Sequence, residues 1–283
     1  MAKIELQNVC YTYGPGTPYA KIALKDVSLS VEAGKITGII GHTGSGKSTL
    51  VRMLNGLLAP DSGRVLLDGV DINADKKALS SVRCRVGLVM QYPEYQLFDE
   101  TVEKDIAFGP RNMGLSSEDI AARVREAAGF TGLSEELLSK SPFDLSGGQK
   151  RRVAIAGVLA MMPSVLILDE PTAGLDPKGR DEILDLISML HKTRGITVIL
   201  VSHSMEDVAR LVDRILVFHR GKLVFDDVPR EVFRHGEELV SMGLAVPAMT
   251  DIMHYLSQNG IPVAGDALTV EEAADLIMNA VAH

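Results

Sequence analysis

One stretch of this 283-residue chain, Gly41-His42-Thr43-Gly44-Ser45-Gly46-Lys47-Ser48, has the residue types and spacing of a phosphate-holding loop. Its glycines let the backbone curl so that successive N–H groups point inward at phosphate oxygens. It follows an apolar run, Ile36–Ile40, and opens a helix near Ser48, so the positive end of the helix dipole adds to the attraction. Lys47 is expected to reach β- and γ-phosphates, Ser48 to ligate Mg2+, and Thr49 to contact an α-phosphate. A second run, Val165-Leu-Ile-Leu, ends in Asp169 and Glu170. Carboxylates at the C-terminal end of a strand project into the ligand crevice of an open α/β sheet. Asp169 is placed to support Mg2+ through water, and Glu170 to polarise an attacking water as a general base.

Leu145-Ser146-Gly147-Gly148-Gln149 adds a different element. It precedes a helix expected over Lys150–Met161, with Ser146 at the N-cap, so Ser146 and the N–H groups of Gly147 and Gly148 make a second phosphate-binding nest. One loop already cradles the phosphates of one nucleotide. A second nest in the same chain is explained if it closes over a nucleotide held by another subunit. Three further residues sit at the ends of strands or just beyond the acids. Gln91 follows Val86–Met90, where an amide can sense Mg2+ and the attacking water. Asp176 closes Ala173-Gly-Leu-Asp176, and His203 follows Thr197–Ser202, where an imidazole can donate to a γ-phosphate.

The elements that must position these residues are legible as alternation. Ile36–Ile40, Val86–Met90, Val165–Leu168, Thr197–Ser202 and Ile215–Phe218 read as strands, four of them β-branched and nearly unbroken in apolarity, as in strands covered on both faces. Leu50, Leu54, Leu57 and Leu58 recur on one helical face between them. The pattern predicts an α/β fold with a largely parallel sheet. Residues 91–145 break the alternation and read as a helical insertion, with Ser117-Glu-Asp119 opening a helix through Ile120, Val124 and Ala127–Ala128. After about residue 226, Met249, Ile252, Met253 and Leu256 share a helical face, and Thr269-Val-Glu-Glu272 reads as a capping box. A small helical appendage is expected there.

Composition sets bounds on function. Apolar residues make up 46% and charged residues 23%, an ordinary globular balance. Lys and Arg number 29 against 37 Asp and Glu, a net charge of −8 that gives no support for nucleic-acid binding. Cys10 and Cys84 are too few for a disulfide framework or metal cluster. The first nine residues alternate like a strand and lack a signal peptide's apolar core. The most apolar window, Val153–Leu168, is broken by Pro163-Ser164, short of the roughly 20 successive apolar residues of a membrane span. A soluble chain is expected, serving a membrane only by docking to another subunit.

Taken in order, the phosphate loop, Gln91, LSGGQ, Asp169-Glu170, Asp176 and His203 resemble the ABC ATPase family over roughly residues 3–225. The resemblance implies a P-loop NTPase fold with a RecA-like core, an antiparallel β subdomain, and an inserted helical subdomain (about 91–158) carrying the signature. The ATPase domain would span 1–225 and a helical C-terminal extension 226–283, the latter contributing dimer contacts. It implies ATP and Mg2+ as ligands, and head-to-tail dimers in which Gly41–Thr49 of one subunit faces the LSGGQ of the other. Tyr13, with Tyr11 as the substitute, matches the aromatic that stacks on adenine. Tyr11-Thr-Tyr-Gly-Pro-Gly-Thr-Pro18, Gln91-Tyr-Pro-Glu-Tyr-Gln-Leu-Phe98 and Asp105-Ile-Ala-Phe-Gly-Pro110 resemble the ATPases of energy-coupling factor transporters, the PEYQLF stretch resembling the second of two paralogues. That implies a chain lying on the cytoplasmic face of the cell membrane, powering uptake of vitamins or transition-metal ions. Its partners would be a paralogous ATPase or a second copy, a transmembrane coupling subunit docked beside the segment after Gln91, and a substrate-capturing membrane protein. The rival is an ABC importer fed by a periplasmic binding protein, whose ATPase carries the same motifs. The short span between Lys47 and Ser146 leaves no room for the coiled coil of a chromosome-organising ATPase, and a single cassette argues against the translation-associated type.

Overall fold

The computed structural model describes residues 3–261, 263 and 267–281. The chain begins with β1 (Ile4–Tyr13), β2 (Lys21–Val31) and β3 (Ile36–Gly41), then α1 (Lys47–Leu54), β4 (Ser62–Leu67), β5 (Val70–Asp71), α2 (Lys76–Arg85) and β6 (Val86–Val89). A helical stretch follows: a 3-10 turn at Pro93–Gln96, α3 (Val102–Asn112), α4 (Ser117–Phe130), α5 (Glu135–Leu138), a second 3-10 turn at Pro142–Asp144, and α6 (Gly147–Leu159). Strands resume with β7 (Val165–Asp169), α7 (Pro177–Arg194), β8 (Thr197–Val201), α8 (Met205–Leu211), β9 (Arg214–His219) and β10 (Lys222–Asp227). Among the described residues four helices follow: α9 (Pro229–Arg234), α10 (Gly236–Ser241), α11 (Ala248–Gln258) and α12 (Val270–Val281).

The strands form two sheets. The larger has the order β10-β9-β3-β8-β7-β6, parallel throughout except for the β9–β10 hairpin. The smaller, β2-β1-β4-β5, is antiparallel. This is the α/β core read from the strand alternation, with the antiparallel subdomain that the family resemblance implies. β3, β7 and β8 are buried along their whole length because helices cover one face and the small sheet with α1 covers the other. Their alternate residues therefore fill two cores. Leu166, Leu168, Val198 and Leu200 pack with α3, α4, α6 and α7 on one side. Val165, Ile167, Ile199 and Val201 pack with Ile4, Leu6, Val65 and Leu50 on the other. Burying each such aliphatic side chain contributes about 1.5–3 kcal/mol relative to leaving it in water.

Strand register aligns the chemistry. Val201 pairs with both Ile39 and Asp169, so the carboxyl ends of β3, β7 and β8 emerge along one edge of the sheet. That edge is where an open parallel sheet binds ligands.

The leucine pattern through Leu58 predicts a longer first helix than α1. The helix stops at Leu54 because Gly56 takes φ +72°, and a Cβ there would lie 2.6 Å from Leu79 Cδ1. Asn55 turns aside to donate to Val86 O, and Leu57 is left 49% exposed. At the other end of the chain, Met253, Ala267 and Ala273 form a small core of their own with Met249, Leu276 and Ile277. Glu272, expected in a capping box, accepts from Leu268 N (2.9 Å) while its own N–H donates to Thr269 Oγ1 (3.2 Å). Its carboxylate also binds Arg230 (3.1 Å), which ties α12 to α9.

Candidate active site

The loop from Gly41 to Lys47 is shaped by close approaches that only glycine permits. Gly41 has φ +156°, and a Cβ on it would stand 2.3 Å from Phe218 O and 2.5 Å from Ser45 Oγ. Gly46, with φ +111°, caps α1, and its Cβ would meet Ala23 O at 2.5 Å. The loop is pinned from outside by Gly221 N donating to Ser45 O (2.9 Å) and from inside by Ser45 N donating to His42 O (3.0 Å). His42 stacks edge-on against His219 at 5.0 Å, and its Nδ1 lies 2.8 Å from Thr43 O. Ser45 Oγ is buried and has no hydrogen-bond partner among the described residues.

Lys47 is only 6% exposed, and its ammonium donates to Gly41 O (2.5 Å) and His42 O (3.2 Å). Burial pushes its pKa down, and the Glu170 and Asp169 carboxylates pull it back up. Beside it, Tyr13 Oη and Thr49 Oγ1 are 3.1 Å apart, and the Tyr13 ring meets Tyr11 edge-on at 4.9 Å. A cavity of about 160 Å³ opens here between Tyr13, Lys21, Gly44, Gly46, Lys47 and Thr49.

The acids stand at the end of β7. Asp169 is 8% exposed; burial raises its pKa, and the Ser48 hydroxyl and then Lys47 lower it in part. Glu170 takes a left-handed backbone, φ 54°, which costs about 1–3 kcal/mol in a residue with a side chain. It is held there by its own N–H donating to Val201 O (3.0 Å) and by Ala173 N donating to its carbonyl (3.2 Å). Burial is the main reason its pKa rises to about 7; the His203 N–H, donating to Oε2 at 3.3 Å, opposes the shift and the Asp169 charge adds to it. His203 Nε2 lies 3.3 Å from Oε1, yet Oε1 accepts no hydrogen bond. The His203 ring is held neutral at lower pH than usual, first by burial and then by Lys47.

The structure therefore brings together Gly41–Thr49, Tyr13, Asp169, Glu170 and His203. Gln91 follows β6 at the same edge of the sheet and is exposed. Asp176 caps α7, accepting from Gly179 N at 2.7 Å. Ser146 caps α6 in a reciprocal box: its Oγ accepts from Gln149 N (3.3 Å), and its own N–H donates to Gln149 Oε1 (3.0 Å). Gly147 and Gly148 follow, exposed, and a Cβ on either would meet nothing within 4 Å.

Two buried links escaped the sequence reading. Arg151, 2% exposed, forks onto Glu94 (2.8 and 3.1 Å) and donates to Pro171 O (3.0 Å) and Ala173 O (2.8 Å). It joins the start of α6 to the turn after Gln91 and to the segment after Glu170. Asp207, 2% exposed, accepts from Thr172 Oγ1 (3.0 Å) and Arg180 Nε (2.6 Å), joining that segment to α8 behind His203. The only sequence signal for Arg151 was its place in Lys150-Arg151-Arg152, which does not say which cation turns inward.

Beyond the turn at Pro93–Gln96 lies a groove of about 520 Å³ lined by Gln96, Leu97, Phe98, Phe108, Val153 and Met161. Phe98 and Phe108 meet edge-on at 5.0 Å and are 59% and 46% exposed. Among the described residues no helix is long and apolar enough to cross a membrane.

Comparison with known proteins bears on the family and the fold. The ABC transporter family model matches residues 24–173. The chain is 56% identical over 275 residues to the energy-coupling factor transporter ATP-binding protein EcfA2 of Caldanaerobacter subterraneus subsp. tengcongensis, covering 97% of this chain and 96% of that protein. It is 55% identical over 271 residues to the protein of the same name from Clostridium tetani, covering 95% and 94%. Among solved structures it is similar to cbiO1 from Clostridium perfringens, part of the ABC transporter complex cbiONQ: 40% identity, 90% of this chain and 98% of that one, TM-score 0.75. It is also similar to a dimeric ATP-binding cassette in a post-hydrolysis state with ADP and Pi: 31% identity, 80% and 99% coverage, TM-score 0.72. With a complete phosphate loop, the acid pair and the signature helix in one fold, this chain belongs to the ABC transporter family and, within it, to the energy-coupling factor transporter ATP-binding proteins.

Proposed function

We propose that this chain is the ATP-hydrolysing subunit of an energy-coupling factor importer and that its two nests serve two different nucleotides. The observation that carries the reading is the state of the second nest. Ser146, Gly147 and Gly148 are exposed, and among the described residues nothing lies within 4 Å of a Cβ placed at 147 or 148. A nucleotide cradled by another ATPase supplies the missing requirement. The dimeric cassette with ADP and Pi, similar to this chain, supports that arrangement.

Within its own loop the chain binds the triphosphate through Lys47 and the first-turn N–H groups of α1, with the adenine against Tyr13. Mg2+ fits the donor set, since Asp169 and Ser48 offer hard oxygens side by side and no group of three His, Cys, Asp or Glu among the described residues forms a rival metal site. When bound, it neutralises developing phosphate charge. Ser48 and Asp169 would hold it, with Gln91, at the same edge of the sheet, as a further oxygen donor. Glu170, with its pKa about 7 and its Oε1 accepting no hydrogen bond among the described residues, is matched to taking the proton of the attacking water. The water oxygen bonds to the γ-phosphorus and the bond to the β,γ-bridging oxygen breaks, leaving ADP and phosphate. His203, neutral at physiological pH, donates to the γ-phosphate. Asp176, at the head of α7, contacts the nucleotide across the dimer, and Gln149 completes the signature's half of the site.

In this reading the apolar groove beyond Pro93–Gln96 receives the transmembrane coupling subunit, and the chain lies on the cytoplasmic face of the membrane. Residues 91–158 act as the helical subdomain, and 226–283 as an extension that adds dimer contacts. The ATPase partner is a paralogue, a second copy being the other arrangement. A separate membrane protein captures the vitamin or transition-metal ion. Copurification of the tagged chain from detergent-solubilised native membranes is expected to bring down a second ATPase and a transmembrane subunit in stoichiometric amounts. Recovery with the permease of an extracellular binding protein instead would replace this reading by the other importer type.

A further inference from the structure

Lys21 is a cation that neither the phosphate loop nor the acid pair accounts for. It is the first residue of β2 and pairs directly with Tyr13, the last residue of β1. Side chains directly opposite each other in an antiparallel pair leave the sheet on the same face. Lys21 therefore shares the face of the aromatic that borders the nucleotide cavity, and both line it. Its Nζ reaches over the loop, 3.6 Å from where a Cβ on Gly44 would stand. Among the described residues it has no ion pair, whereas Lys47, on the loop side, is occupied by Gly41 O and His42 O. Two ammonium groups from different elements thus face one cavity of about 160 Å³, and the loop-side one lies in the field of the Glu170 and Asp169 carboxyl groups.

We propose that Lys21 is a nucleotide-binding residue that clamps the phosphate chain from the sheet side, between the base at Tyr13 and the phosphates held by Gly44–Thr49. The inference rests on the reading of this cavity as the ATP site. A compact ammonium suits a non-bridging phosphate oxygen, and a flexible stem lets it follow the chain from the α- to the β-phosphate. The contact involves groups that ATP and ADP share, so it strengthens both and does not select between ground state and transition state.

The test is equilibrium titration of ATP and ADP into the full-length chain and its Lys21→Ala, Lys21→Arg and Lys47→Ala variants, with thermal unfolding of each. Lys21→Ala is expected to weaken ATP and ADP alike by about tenfold at low salt, and by less at high salt, because an exposed charge is screened. Lys21→Arg keeps the charge and is expected within about twofold of wild type. In the assembled ATPase, Lys21→Ala raises KM for ATP and leaves kcat at saturation unchanged. Wild-type affinity in Lys21→Ala overturns the assignment. So does an Arg variant no better than Ala, or a loss of affinity that follows a fall in melting temperature. Lys47→Ala separates this failure from a deeper one: if that variant binds ATP normally, the ATP reading of the cavity fails first.

Discussion

Two helices of this chain begin in glycine-rich turns, α1 after Gly44-Ser45-Gly46 and α6 at Gly147-Gly148, and the chain treats them differently. Around α1 the glycines are demanded from within: Phe218 O and Ala23 O leave no room for a Cβ at Gly41 or Gly46, and positive φ angles exclude other residues. Around α6 a Cβ at Gly147 or Gly148 would meet no atom within 4 Å among the described residues, yet Gly lowers helix stability by roughly 0.5–1 kcal/mol per position relative to Ala. The first turn is finished by intramolecular packing; the second is left open, as the proposed composite site requires. A composite site explains why one protein carries one enclosed nest and one open one.

The widest separation between the two regions should appear in chemistry. Glu170→Gln, in the enclosed region, is expected to reduce ATP turnover by about 10²–10⁴-fold while ATP still binds, measured as phosphate release and nucleotide affinity in the same preparation. Near-normal turnover would remove Glu170 from the role of base. The same variant carries a stability test. The folded-state pKa of about 7 lies above the ordinary 4.5, so the folded chain holds a proton that the unfolded chain releases, and wild-type stability falls as pH rises through that window. Glu170→Gln should therefore be more stable than wild type by about 3 kcal/mol near pH 8, the difference vanishing near pH 4 in denaturant titrations.

Next in size are the enclosed glycines. Gly46→Ala places a Cβ 2.5 Å from Ala23 O on a backbone at φ +111°, and should cost about 3 kcal/mol in unfolding free energy and abolish ATP binding. Comparable in stability, but at the boundary of the two regions, is Arg151→Met. It strands Glu94 and two carbonyls, Pro171 O and Ala173 O, for a loss of about 3 kcal/mol in unfolding free energy. Because Arg151 joins α6 to the segment after Glu170, turnover should fall more than ATP affinity. Equal losses would make it a plain structural link.

How much of this was legible in the sequence depended on whether the determinants were contiguous. β3, β7 and β8 announce themselves because strands buried on both faces need unbroken runs such as Val165–Leu168. The small sheet does not. β5 is two residues long and β1 changes register more than once, so only family resemblance supplied an antiparallel subdomain. The loop glycines and the acid pair are local patterns. Arg151, Asp207 and Lys21 are not. Arg151 turns inward because α6 packs on the Pro93–Gln96 turn, Asp207 because residues far apart in sequence meet behind His203, and Lys21 because β2 pairs with β1 at Tyr13. α1 is shorter than its leucine pattern because Gly56 answers to Leu79, a contact that no helical period encodes.

The smallest effects bear most directly on the comparison, because they separate folding from function in the open nest. Ser146→Ala removes the reciprocal cap with Gln149 and should cost about 1 kcal/mol of stability, together with turnover at the partner's loop. A defect in both leaves fold and function entangled. Gly148→Ala does not. A methyl group there meets nothing within 4 Å among the described residues, and its helical backbone suits alanine, so the variant should unfold about 0.5 kcal/mol harder than wild type. The same methyl would occupy the space through which a partner's γ-phosphate approaches the N–H groups of α6. ATP turnover in the assembled pair should therefore drop at least about tenfold while ATP affinity of the chain alone is unchanged. A variant that is more stable, binds ATP normally and cannot turn it over has no explanation inside one chain. One that keeps full turnover shows that no nucleotide comes close to Gly148, and the contrast between the two nests then reflects helix geometry alone.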